Sequence, residues 1–233
     1  MSFTPGTKFA DLTDEQCKNV LDRLAEPFEP EDIDWKPQNI KSGTATALAF
    51  ADPRVYIDKL NKVLGPYNWS RKFEFTVTPY SKFVKGKAPW GSPPGTPAPP
   101  DSIVNGNKVV CVCTVTVLGS EHSSTGETDA SDDNAATSSE AQSFKRACIA
   151  FGLGRYLYDL PKFDAPYAYG KFTSKPVLPD WALPKKFCET CNKQVEGLIH
   201  NGQEYSAQQI VNNAKTKYGM ILCSACQKER AKK

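Results

Sequence analysis

The chain lacks most of the features that would declare a function outright. No apolar run approaches the roughly 18 residues a membrane helix needs, and Met1 to Asp11 has no stretch resembling the apolar core of a signal peptide. There are only two histidines, His122 and His200, each isolated. No phosphate-cradling glycine loop and no nucleophile motif is present. Charge of either sign is barely in excess: 29 Lys+Arg against 26 Asp+Glu leaves +3. Nucleic-acid-binding domains are often strongly basic, so this bulk figure alone does not point to one. What the chain does have is enough apolar content, 39% of 233 residues, to exclude disorder throughout. Its length fits one domain, or one domain with a small appendage.

Local patterns divide it. Thr13 followed by Gln16 is a capping box, and Cys17, Val20, Leu21 and Leu24 then fall on one helical face that stops near Pro27. Ala45 to Ala51 reads as a short strand. Asp52-Pro53 starts a second helix with an apolar stripe of Tyr56, Ile57, Leu60 and Leu64, leaving at Gly65. Trp69 to Thr78 alternates with period two, and Val109 to Leu118 is β-branched enough to predict a strand covered on both faces. Between them lies a proline-rich excursion, residues 85–107, closing at Asn105-Gly106. A third strand is expected within Ser120 to Ala130. Thr137 with Glu140 predicts another capped helix from Ser138 to Phe151, its stripe formed by Ala141, Phe144, Cys148 and Phe151 and its end marked by Gly152 and Gly154. The expectation is an α+β domain over 1–160, a linker over 161–184 rich in proline with Tyr167, Tyr169 and Trp181 as possible straps, and a separate unit over 185–233. No internal repeat is visible.

Eight cysteines fall into two groups. Cys17, Cys111, Cys113 and Cys148 sit in apolar surroundings and read as small buried side chains. Cys188-x-x-Cys191 and Cys223-x-x-Cys226 are separated by 31 residues. Each short gap lets both thiolates of a turn face one ion, and two such turns complete a tetrahedral four-thiolate Zn2+ site with no open position, hence structural rather than catalytic. The spacer holds a hairpin near Asn201-Gly202 and a helix opened by Ser206 and Gln209, with Ile210, Ala214 and Tyr218 to pack on the knuckles. A unit of this size needs such a staple.

In the helix after Ser138, the run Ser143-Phe144-Lys145-Arg146-Ala147 places Lys145 about 80° and Arg146 about 180° from the apolar stripe. Both cations can leave the core, which suits a phosphate backbone. The wider string, DASDDNAATSSEAQSFKRACIAFGLGRYLYDL over Asp129 to Leu160, resembles the Rad52/22 superfamily of single-strand annealing and DNA-repair proteins, in its DdrA-like bacterial or phage branch. Leu24-Ala25-Glu26-Pro27-Phe28, Ile33-Asp34-Trp35-Lys36-Pro37, Ala49 to Val55 and Leu64 to Trp69 agree in order. The resemblance covers roughly residues 13–160.

It implies a β-hairpin-containing sheet packed with helices, assembled as a homo-oligomeric ring. Such a ring binds single-stranded DNA in a positive groove and anneals strands, or protects ends, without ATP. By that resemblance Lys145 and Arg146 match the inner DNA site and Arg54 a basic position before the hairpin. Arg155 belongs to the GRYLYDL element, as a phosphate contact or as an ion-pair partner of Asp159. Ile149 stands where some relatives carry a further cation. The excursion is longer than the usual hairpin tip, and the zinc unit is an addition. The implied setting is the bacterial host cytoplasm or nucleoid. Tyr67, Trp69 and Tyr80 are candidates for base stacking.

Two other classes compete. Glu127, Asp129, Asp132, Asp133 and Glu140 are the acids a two-metal nuclease would use, although carboxylates before a helix also complement its dipole. A zinc adaptor recruiting a replication or repair protein is the other. Charge separates along the chain: residues 185–233 carry 9 Lys+Arg and 4 Asp+Glu, a balance of +5, leaving 20 against 22, or −2, for the rest. The near-neutral total thus averages a patterned core with a basic tail.

Overall fold

The computed structural model describes residues 3–89, 91–174 and 176–231; Trp90 of the proline-rich excursion, Lys175 of the expected linker and the extreme ends of the chain lie outside them. The described residues form two compact units, each built from separated stretches. One takes the chain up to Val20 with Ile57–Phe151, the other Leu21–Tyr56 with the chain from Gly152 on. Two helices, α1 (Asp14–Ala25) and α2 (Pro53–Leu64), run through the points of division. Their starts follow the sequence. Thr13 and Gln16 exchange both capping-box bonds, and the Asp52 carboxylate accepts from the Arg54 N–H at 2.9 Å.

The first unit is an antiparallel sheet of β3 (Trp69–Val84), β4 (Ser102–Val117) and β5 (Ser120–Asp129), in that order, with helix α3 (Ala135–Ile149) packed on one face. Along β4, Cys111, Cys113, Val115 and Val117 are fully buried, while Val110, Val112, Thr114 and Thr116 on the opposite face are half-buried. The expectation of a strand covered on both faces is therefore corrected: the helix shields one face, and the β-branched residues of the other pack among polar neighbours of the sheet.

The hairpin is longer than its sequence suggests. β3 and β4 pair from Trp69↔Val117 out to Val84↔Ser102, so the excursion shrinks to residues 85–101. Asn105-Gly106 is not its turn. Neither residue has positive φ, as a two-residue hairpin turn would require. Asn105 lies opposite Ser81 and Gly106 opposite Tyr80, whose ring sits where a side chain on Gly106 would stand. The ladder resumes once the prolines end at Pro100.

α3 also begins earlier than expected, with Asn134 at its N-cap, so Thr137 lies inside it. The chain reaches it through a turn held by Asp129, which accepts from the Ser131 N–H and hydroxyl. The face turned inward carries Ser139, Ser143, Phe144, Ala147 and Cys148, not Ala141. The hydroxyls of Ser139 and Ser143 bond back to the carbonyls of Ala136 and Glu140. Small residues are needed there because β5 passes very close: a Cβ on Gly126 would lie 2.2 Å from the Ser139 carbonyl oxygen.

The second unit holds a four-stranded sheet in the order β1 (Ile33–Lys41), β2 (Thr44–Ala51), β6 (Phe163–Ala168), β7 (Lys171–Phe172). β1 alternates only over Ile33–Gln38, with Ile33, Trp35 and Pro37 on the covered side, and Pro37 is tolerated because this is an edge strand. β6 and β7 come from the stretch read as linker. Within it Tyr167 stacks edge-on with Phe172, but Tyr169 is 99% and Trp181 54% exposed, so neither of these two is a strap. Phe28 meets Tyr56 and Tyr156 edge-on, and its N–H donates to the Tyr156 hydroxyl.

Candidate nucleic-acid interface and metal centre

Lys145 leaves α3 on the side away from its buried serines and is half-buried, whereas Arg146 leaves it beside Ser139, toward β5, and is exposed. Arg146 is also tethered, because its Nη1 donates to the Thr125 carbonyl at 2.9 Å, on edge strand β5. One arm of the guanidinium thus holds the edge while the side chain as a whole stays exposed.

A third cation escaped the sequence reading. Arg71 lies in the apolar register of β3, and its guanidinium stacks 4.9 Å from the Phe144 ring and 5.2 Å from that of Phe73. An arginine among alternating aromatics was the available signal. Stacking sets it on the β3 flank of α3, whereas Arg146 bonds to β5 on the opposite flank, so the cations stand on both sides of the helix with Lys145 between them.

Arg54 and Arg155 belong to the second unit. Arg54 is exposed at the start of α2 and loosely paired with Asp52, Nε to Oδ1 3.9 Å. Arg155 is exposed in a short 3-10 turn, Arg155–Tyr158, and among the described residues no ion pair joins it to Asp159. Of the stacking candidates, Tyr67 is 77% exposed. Trp69 donates to Asn61 Oδ1 and packs on Phe144, and the Tyr80 hydroxyl donates to Asp129 with Lys108 above its ring.

The acidic residues do not gather. Glu127 pairs with Lys108 at 2.8 Å. The Asp129 carboxyl is held down at about 2, first by the Tyr80 hydroxyl and then by Ser131. Among the described residues, the one group of His, Cys, Asp or Glu close enough to share an ion is Cys188, Cys191, Cys223 and Cys226.

That cluster is built by both knuckles. The hairpin β8 (Leu198–His200) and β9 (Gln203–Tyr205) turns through Asn201 and Gly202, both at positive φ. α4 (Ala207–Tyr218) follows, with a full capping box between Ser206 and Gln209. α5 (Ser224–Arg230) starts at Cys223. Val195, Ile210, Val211, Ala214 and Leu222 form the small core together with Cys188, and Tyr218 packs against it.

The four sulfurs lie within 4.8 Å of one another, and Cys191 Sγ to Cys223 Sγ is 3.7 Å. That is far beyond a disulfide bond of about 2.0 Å. It matches the edge, about 3.8 Å, of a tetrahedron with zinc–sulfur bonds of about 2.3 Å. Burial pushes the Cys188 thiol up, but backbone N–H groups of Cys223, Cys191 and Thr190 outweigh it and bring it to about 6. Cys226 is pushed up, chiefly by its bond with Cys223 and then by burial. The donor set fits one thiophilic cation.

Comparison with known proteins identifies the family. Residues 16–171 match the family described as Rad52/22 family double-strand break repair protein. The chain is 31% identical over 173 residues to a Deinococcus radiodurans protein named single-stranded DNA-binding protein DdrA, covering 72% of this chain and 70% of that one. It is 34% identical over 175 residues to the Deinococcus deserti protein of the same name, covering 72% of each. No solved structure gives a significant match. The matched segment contains the whole of the sheet-and-α3 unit from α2 onward, Arg71, Lys145 and Arg146 included, and stops short of the cysteine cluster: the chain belongs to the Rad52/22 family of double-strand break repair proteins.

Proposed function

We propose that the protein binds single-stranded DNA and anneals complementary strands, or shields DNA ends, without ATP. The observation that carries this is the set of cations held around α3 within the family match, with Lys145 on the helix, Arg146 tied to β5 and Arg71 stacked on the β3 side. Cations on a fixed helix grip a phosphate backbone and leave base edges free for a second strand. Arg54 and Arg155 are proposed as further backbone contacts, both exposed. The Deinococcus relatives, both named as single-stranded DNA-binding proteins, support the same ligand. The role is binding rather than catalysis.

Self-assembly into a ring is part of the reading. β3 is an edge strand with unpaired backbone groups, and the arm of the hairpin exposes Phe75, Val77, Phe83 and Ile103 on one face. An open edge beside apolar area is a surface that a second copy would cover. The four cysteines would hold a structural Zn2+, which when bound supplies charge neutralisation and cross-links the two knuckles of the 185–233 unit. Among the described residues no helix is long and apolar enough to cross a membrane; the proposed place of action is where the DNA is, the host cytoplasm or nucleoid.

One observation favours the adaptor as a second reading. A cleft of about 480 Å3 lined by Trp35, Val177, Leu178 and Leu183 lies in the second unit, where a protein partner would find apolar area.

The test is binding and annealing of labelled oligonucleotides without ATP by wild type and Lys145→Ala/Arg146→Ala, with assembly mass measured alongside. For single strands each lost phosphate contact flattens the log–log salt dependence by about 0.7, so the double variant should lose about 1.4 in slope. An unchanged slope and affinity in a folded double variant would remove Lys145 and Arg146 as the site.

A further inference from the structure

Among the described residues, four two-residue hairpin tips place a non-glycine residue at positive φ ahead of a glycine: Ser42-Gly43, Leu118-Gly119, Tyr169-Gly170 and Asn201-Gly202. This conformation favours Asn, Asp and Gly and penalises larger side chains. Asn201 suits it by preference. Leu118 is compensated by burial, being 2% exposed. Tyr169, at φ 52, has neither excuse: its side chain stands 99% exposed on the tip between β6 and β7. Folding gains nothing from an aromatic ring there, so the strain points to something the ring meets.

The surroundings give its chemistry. The β1–β2 tip lies beside this one, because the Tyr167 N–H donates to the Gly43 carbonyl at 2.8 Å. Lys41 and Lys171 flank the two turns, both exposed and without a side-chain partner among the described residues. Residues 35–51 and 165–174 contain no Asp or Glu. Behind the tip, Tyr167 and Phe172 pair edge-on and stiffen the arm. A rigid, acid-free projection with cations around a bare ring is the combination that holds single strands: phosphates on the lysines, a base on the ring.

We propose that this end of the four-stranded sheet is a second single-strand contact, with Tyr169 stacking on a nucleobase and Lys41 and Lys171 holding the adjoining phosphates. The proposal rests on the single-strand-binding reading above.

The experiment uses the full-length protein and a fluorescently labelled oligo-dT. Tyr169→Asn should weaken binding about 5- to 150-fold, the range for loss of one stacked base. Its thermal midpoint should not fall, since Asn is favoured at that turn. Tyr169→Phe should bind as wild type. Lys41→Ala/Lys171→Ala should lower the salt slope by about 1.4. Wild-type affinity in Tyr169→Asn overturns the proposal, as does a change in assembly mass with affinity intact, which would assign the tip to contact between copies. Weakening by Lys145→Ala/Arg146→Ala but not by Tyr169→Asn removes this contact and leaves the main reading standing. A wild type that binds no oligo-dT sinks both.

Discussion

Gly126→Ala tests whether the helix–sheet spacing sets the position of the proposed DNA-binding cations. A Cβ at this position would lie 2.2 Å from the Ser139 carbonyl oxygen, 2.7 Å from the Ser143 nitrogen and 2.8 Å from the Gln142 Cβ. Two of these are backbone atoms of α3, which cannot swing aside as a side-chain end would. Ordinary contact requires the helix to retreat by about 1 Å along its most closely packed stretch. Overpacking typically costs 1–3 kcal/mol, and a rigid neighbour puts this case at the upper end, about 3 kcal/mol. For a chain of this length that lowers the midpoint of thermal unfolding by roughly 10 °C. The same displacement moves Lys145 away from the strands and stretches the bond from Arg146 to Thr125, so single-strand affinity should drop along with stability. Thermal melts, urea titration and oligonucleotide binding report the three effects. A Gly126→Ala protein with wild-type melting and wild-type affinity would refute the reasoning.

Other expectations follow from separate features. Purified protein should contain about one zinc per chain by elemental analysis, and chelation or Cys191→Ser should release it and increase proteolysis within residues 185–233 while the sheet-and-α3 unit stays protected. Asp129 sits below its ordinary value of 3.8, at about 2, so its bond with Tyr80 contributes stability that is full above pH 4 and is lost as pH falls through about 2; Tyr80→Phe should flatten acid titration in that window, measured by NMR or circular dichroism. Gly154→Ala should destabilise the second unit by about 2 kcal/mol or more in denaturant titration, because φ is +73 and a Cβ would lie 2.4 Å from the Tyr56 hydroxyl oxygen.

Much of the site was legible because it depends on local rules. Capping boxes at Thr13 and Ser206 are satisfied by residues three positions away, so the helices they open could be read directly. The paired C-x-x-C motifs carry their own geometry, and the sulfurs converge as that spacing requires. What escaped depends on pairing between distant residues. Asn105-Gly106 is a good turn sequence, yet register with Tyr80 and Ser81 holds it extended. β6 reads as a proline-rich linker, and only its pairing with β2 makes it a strand. Thr137 has the form of a cap, but the turn built on Asp129 starts the helix before reaching it.

The amino-acid order alone determined that one helix would carry Lys145 and Arg146 away from its apolar side, that four cysteines would form a closed metal-ligand set, and that charge would be divided between a near-neutral body and a basic tail. Helical period, two-residue thiolate gaps and composition are properties of short stretches. Tertiary structure decided how those charges are held. It stacked Arg71 on Phe144, tied Arg146 to the edge of β5, brought α3 onto Gly126, and left Tyr169 bare on a strained tip. Each of these needs two stretches far apart in sequence to meet, and the energy of that meeting resides in packing and register rather than in either stretch alone.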